Sequence, residues 1–138
     1  MGGLGYKSNA QEDFWINENN IKDYVQSLKQ ALITPYSGYK KFKLPQQLNP
    51  NYLQIENEFY SMIRPKRVAS DGETPLKALD EKGIEYLELR CLDVNPFLPL
   101  GIDKTQIQFL DNFILFCLFN DSPETCPKEA KRNRYNID

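Results

Sequence analysis

The stretch Gly83-Ile84-Glu85-Tyr86-Leu87-Glu88-Leu89-Arg90-Cys91-Leu92-Asp93-Val94-Asn95-Pro96-Phe97 decides the fold. It opens at a glycine, alternates with period two, and closes at a proline, which predicts a β-strand. Ile84, Tyr86, Glu88 and Arg90 fall on one face, and Leu87, Leu89 and Cys91 share the other with Glu85. Glu88 and Arg90 are therefore neighbours on the same side. Carboxylate oxygen suits Mg²⁺ and the planar fork of arginine suits phosphate, so the pair fits a site that binds metal and phosphate together. An acid and a base two apart on a strand are more commonly a solvated or paired couple of little energetic weight. The stretch alone leaves both readings open.

Upstream, Tyr52-Leu53-Gln54-Ile55-Glu56-Asn57-Glu58-Phe59-Tyr60 also alternates and predicts a second strand. Leu53, Ile55, Asn57 and Phe59 share one face; Gln54, Glu56, Glu58 and Tyr60 share the other. Asn57 would then be a buried amide that needs partners. Ile63-Arg64-Pro65-Lys66-Arg67-Val68 reads as extended around its proline, and Asp71-Gly72 as a turn. Thr74-Pro75 is a hydroxyl cap with proline in the first helical turn, Leu76 and Leu79 face inward, and Gly83 suits the helix end. The expected unit is strand, helix, strand, with Tyr52–Tyr60 and Gly83–Leu92 in one antiparallel sheet.

Two further helices are legible. Asn20 with Asp23 starts the first, and Ile21, Tyr24, Val25, Leu28, Ala31 and Leu32 recur at helical spacing until Pro35 and Gly38 end it. Asp103 with Gln106 starts the second. Its stripe of Ile107, Leu110, Phe113, Ile114 and Cys117 is flanked by Phe109, Leu115, Phe116, Leu118 and Phe119. A helix apolar on most sides needs covering from several directions. Residues 1–12, 36–51 and 122–138 read as loop, connector and polar tail.

Composition narrows the chemistry. The chain has 138 residues, 41% hydrophobic and 26% charged, with 17 basic and 19 acidic residues and a net charge of −2. That suits one domain or a piece of one, and provides no field for nucleic acid. Arg64-Pro65-Lys66-Arg67 is a short basic run, long enough for an anion site at most. Cys91, Cys117 and Cys126 match no zinc spacing, and their odd number argues against a disulfide framework. Cys91 and Cys117 lie in apolar runs and are expected to be small buried side chains. Neither a signal peptide nor a bilayer-length apolar run is visible, so the expectation is a reducing, cytoplasmic setting with no membrane partner. There is no histidine, which removes Ser-His and Cys-His nucleophile pairs and His-type metal cages from this chain.

Taken together, Leu4-Gly5-Tyr6-Lys7-Ser8, Q-I-E-N-E-x-Y with I-R-P-K-R, and G-I-E-Y-x-E-x-R with D-x-N-P-F closely resemble the proteobacterial type of glutamate–cysteine ligase. The resemblance runs over nearly the whole chain. It implies an α+β fold, part of a glutamine-synthetase-like antiparallel sheet curved into a funnel with helices outside. It further implies an ATP-dependent ligase that begins glutathione synthesis: ATP phosphorylates the γ-carboxyl of L-glutamate, the amine of L-cysteine attacks the acyl phosphate, and Mg²⁺ or Mn²⁺ bridges the phosphates. By position, Glu88 matches a metal ligand and Arg90 a catalytic arginine on the phosphate side. Tyr6 and Tyr60 match tyrosines that line the cysteine site, and Arg64, Lys66 and Arg67 match a basic run assigned to ATP.

The departure is length. Family members are several times longer, and their N-terminal part supplies further acidic ligands, a metal-binding histidine and much of the glutamate site. Residues 1–138 are thus expected to be a fragment of the catalytic domain, inactive alone and prone to self-association. The alternatives are a non-catalytic module that binds an anion or a protein, and the ligase domain of a two-function glutathione-synthesising enzyme.

Overall fold

The computed structural model describes residues 9–43 and 45–135. Their order is α1 (Asn9–Glu12), α2 (Ile21–Ile33), β1 (Ile63–Lys66), α3 (Pro75–Lys82), β2 (Tyr86–Leu89), α4 (Lys104–Phe119) and α5 (Pro127–Tyr135), with short 3₁₀ turns at Ser37–Tyr39 and Glu56–Glu58. The class is α+β.

The core forms where the α2 stripe meets α3 and the 52–59 segment. Asn20 caps α2, its side chain accepting from the Asp23 amide, and Tyr24, Val25, Leu28 and Ala31 are buried. Leu53, Phe59, Leu76, Leu79 and Ile16 complete the cluster. Thr74 caps α3 as its sequence demands, accepting from the Lys77 amide. Gly83 ends that helix at φ +75°, ψ −172°, a conformation open almost solely to glycine.

The sheet differs from expectation. It contains β1 and β2, antiparallel, with Arg64 opposite Glu88 and Lys66 opposite Tyr86. The extended run around Pro65 supplies the partner strand, and Tyr52–Tyr60 is not a strand. Leu53 and Phe59 do reach the core, but Ile55 is half exposed and Asn57 lies at the surface. The reason is competition for backbone groups. The amides of Tyr52 and Leu53 are spent on the carbonyls of Thr34 and Ala31, orphaned at the end of α2. The carboxylates then turn back on the chain: Glu58 accepts from the Gln54 amide, and Glu56 accepts from the Leu76 amide at 2.9 Å. Side chains that bond nearby backbone pull a segment out of extended pairing.

Three smaller expectations are also corrected. Cys91 and Cys117 are exposed: Cys91 lies past the end of β2, and no residue of α4, which carries Cys117, is buried. Residues 9–12, expected as loop, form one helical turn, and the polar tail contains α5. Helix α4 forms as read, with Asp103 accepting from the Gln106 amide, yet none of its residues is buried.

Candidate functional site

The β1–β2 ladder turns one face into a charged surface. The register sets Arg64 and Lys66 of β1 beside Glu88 and Tyr86 of β2. Arg90 extends the same face, its amide donating to the Met62 carbonyl at 2.7 Å. Pro65 lacks an amide donor and is tolerated because the ladder is only two strands wide here.

Glu88 is the centre of this face. Its Oε2 is sealed from solvent and lies 3.1 Å from Arg90 Nη2 and 3.7 Å from Lys66 Nζ, ion pairs with no aligned hydrogen bond. The Arg90 guanidinium beside it holds the Glu88 carboxyl below the usual carboxylate range, with Lys66 and Arg64 adding to the effect against partial burial. Glu88 and Arg90 side chains are each about one third exposed, so they sit at the rim of the fold rather than on open surface. Arg90 also lies over the Tyr60 ring, its Cζ 6.0 Å from the centroid.

Arg64 behaves differently from the other cations. It is 6% exposed, and its Nε and Nη1 are buried without hydrogen-bond partners. It lies against Tyr24 of α2: burial pushes that phenol up, and Arg64 pulls it partly back. Nitrogens sealed from solvent contribute a positive field to the face rather than a direct contact. Arg67 is turned away from the cluster. Its Nη1 donates to the carbonyls of Lys82 at 2.8 Å and Gly83 at 3.3 Å, at the end of α3.

The structure therefore brings Glu88, Arg90, Lys66, Arg64 and Tyr60 together and sets Arg67 on the other side of the β1 end. Tyr6 lies outside the described residues. Two contributors were missed in the sequence. Tyr24 looked like one more member of an apolar stripe. Gln11 looked like loop, yet its amide donates to the Glu58 carbonyl and accepts from the Tyr60 amide, both at 3.0 Å. That two-sided bond fixes the backbone of Tyr60 as a neighbouring strand would, and no local pattern announces it.

The donor set does not make a metal centre by itself. Glu88 is one carboxylate among three cations, and no three His, Cys, Asp or Glu among the described residues are grouped to hold an ion. Mg²⁺ takes six oxygens. The charge balance of this face suits an oxyanion.

A model of the glutamate–cysteine ligase family matches residues 1–138. The chain belongs to that family. A glutamate–cysteine ligase of Saccharophagus degradans is 51% identical over 136 residues, covering 94% of this chain and 26% of the relative. One from Pseudomonas aeruginosa is 54% identical over 128 residues, covering 89% and 24%. A solved glutamate–cysteine ligase of Francisella tularensis, in complex with AMP, is 42% identical and superposes with a TM-score of 0.81 over 94% of this chain and 28% of that one. The chain spans about a quarter of the length of the curated relatives it matches. No helix among the described residues is long and apolar enough to cross a membrane.

Proposed function

We propose that this chain forms part of the catalytic domain of an ATP-dependent glutamate–cysteine ligase, acting in the cytoplasm at the first step of glutathione biosynthesis. The observation that carries the reading is the single face on which Arg90, Lys66 and Glu88 meet over the buried charge of Arg64. Family membership and the AMP complex of the Francisella relative support a nucleotide phosphate as the oxyanion. The two strands would be a portion of a larger antiparallel funnel.

In the proposed reaction, a γ-carboxylate oxygen of L-glutamate attacks the terminal phosphorus of ATP and ADP leaves. The amine of L-cysteine then attacks the acyl carbon, phosphate departs, and the amine loses a proton. Arg90 serves the first step by neutralising charge on the transferred phosphoryl group, with Lys66 beside it. Glu88 holds Arg90 and Lys66 in place, and would offer one carboxylate to a Mg²⁺ or Mn²⁺ completed by residues beyond those described. Tyr60, and Tyr6 by resemblance, would line the cysteine side.

The test is phosphate release dependent on ATP, glutamate and cysteine, measured in a full-length ligase carrying this segment. Arg90→Lys keeps the charge but loses the planar fork, and should lower kcat about 100-fold. Release independent of cysteine in the unaltered enzyme, or a kcat within threefold after Arg90→Lys, would refute the assignment.

A further inference from the structure

We propose that Arg67 is a positioning residue, a clamp that fixes the entry of β2 and so the placement of Glu88 and Arg90, and that it makes no contact with nucleotide phosphate. The inference rests on the functional reading above for its effect on turnover, but the clamp itself stands on geometry. Arg67 follows the last residue of β1. Its guanidinium reaches across to the end of α3, where Nη1 donates to the carbonyls of Lys82 and Gly83. Those carbonyls belong to the helix end, where intrahelical donors run out and a cation is favoured by the helix dipole. Charge-assisted bonds of this kind are among the stronger ones available.

What is held there matters for the site. Gly83 turns the chain at φ +75°, with open space where a side chain would stand. β2 begins three residues later. The strand side of the crossing is held by the Glu85 amide donating to the Lys66 carbonyl at 2.9 Å and the Val68 amide donating to Glu85 Oε2 at 3.0 Å, and the helix side by the Gly83 amide donating to the Leu79 carbonyl at 3.0 Å and by Lys82 paired with Glu73 at 2.7 Å. Arg67 ties the two sides together, bonding both Lys82 and Gly83 from the end of β1. Without it, the glycine turn that leads into the strand carrying Glu88 would lose the side-chain tie to the end of β1 that these bonds supply. A shift of one residue in that register would send Glu88 to the opposite face. Arg67 cannot brace this turn and reach into the Glu88 face at once, because the carbonyls it binds lie at the α3 end.

The experiment uses a full-length ligase carrying this segment, with Arg67→Lys and Arg67→Gln. Lys keeps the charge without the planar fork; Gln keeps an amide donor without the charge. Two readouts are combined: amide hydrogen exchange at Glu85 and Arg90, and steady-state kinetics with MgATP varied. A clamp predicts exchange at Glu85 faster by about fivefold to tenfold in both variants. It also predicts kcat down at least tenfold and the KM for MgATP within twofold of the parent. A phosphate contact predicts the opposite pattern: exchange unchanged, and the KM for MgATP raised at least tenfold in Arg67→Gln but less in Arg67→Lys. That pattern, or unchanged exchange in both variants, overturns the clamp. Exchange is read without turnover, so an enzyme found to have no ligase activity would refute the functional reading and leave the clamp to be judged on exchange alone.

Discussion

Replacing Glu88 by Gln separates what this carboxylate does for the fold from what it does for the chemistry. The side chain keeps its shape and loses its charge. Two unit charges at the 3.1 Å of the Glu88–Arg90 contact attract by about 1 kcal/mol in bulk water and several times that at an effective dielectric near 20. Both partners are about one third exposed, so solvent screens the pair and the side chains lose entropy in forming it. A net stabilisation of about 1 kcal/mol follows, nearly offset in the folded state by the smaller cost of desolvating a neutral amide. Stability should therefore fall by about 1 kcal/mol or less.

Turnover should respond on another scale. The substitution leaves Arg64, Lys66 and Arg90 repelling one another on one sheet face with no anion between them. Arg90 and Lys66 lose the partner that fixes their direction, and preorganised charge is what such a site contributes. In a full-length ligase carrying this segment, Glu88→Gln should lower kcat about 100-fold or more while the melting temperature moves by a few degrees at most. The assay is phosphate release alongside a thermal melt of the same preparation. A kcat within threefold of the parent refutes the reasoning. So does a large stability loss that accounts for the lost turnover, since it would make Glu88 a folding residue.

Two further outcomes concern acid stability and association. Glu88 and Glu73 both have carboxyls held below the ordinary range, Glu88 chiefly by Arg90 and Glu73 chiefly by its hydrogen bond with Lys82. A lowered folded-state pKa gives stability that is present above the unfolded carboxylate value and is lost as pH falls through the folded one. Acid unfolding should thus steepen below about pH 4, and Glu73→Gln should flatten that limb by lowering stability near pH 7 by the same modest amount while leaving it unchanged at the acid end, read by urea melts across pH. The 138-residue chain alone should associate above micromolar concentration, because α4 leaves Phe109, Phe116, Leu118 and Phe119 more than 60% exposed, and it should show no cysteine-dependent phosphate release, because no three His, Cys, Asp or Glu among the described residues are grouped to hold the metal. Light scattering that reports a monomer throughout would contradict this.

The caps and the charged pair were legible because their signals are local. Asn20, Thr74 and Asp103 each bond an amide three residues on, and a side chain that short has few other options there. Glu88 and Arg90 needed only the two-residue period of a strand. Tyr52–Tyr60 showed the same period and misled, because its pattern of apolar positions is shared by a loop pinned at two points. Leu53 and Phe59 are those points, and what lies between them is decided by Glu56 reaching α3 and Glu58 reaching Gln54. The Glu56 bond depends on where α3 sits, which no window of nine residues contains, and the Glu58 bond, though local, leaves no trace in a period-two pattern. Arg64 and Arg67 make the same case more sharply. They stand three apart in one basic run, yet one is sealed beneath the charged face and the other donates to carbonyls at a helix end. The alternation of β1 sends Arg64 and Lys66 to the Glu88 side, and Arg67, one residue further, to the α3 side. A basic run reads as one patch only until its backbone conformation is known; here its charges divide between two surroundings, the Glu88 face and the end of α3.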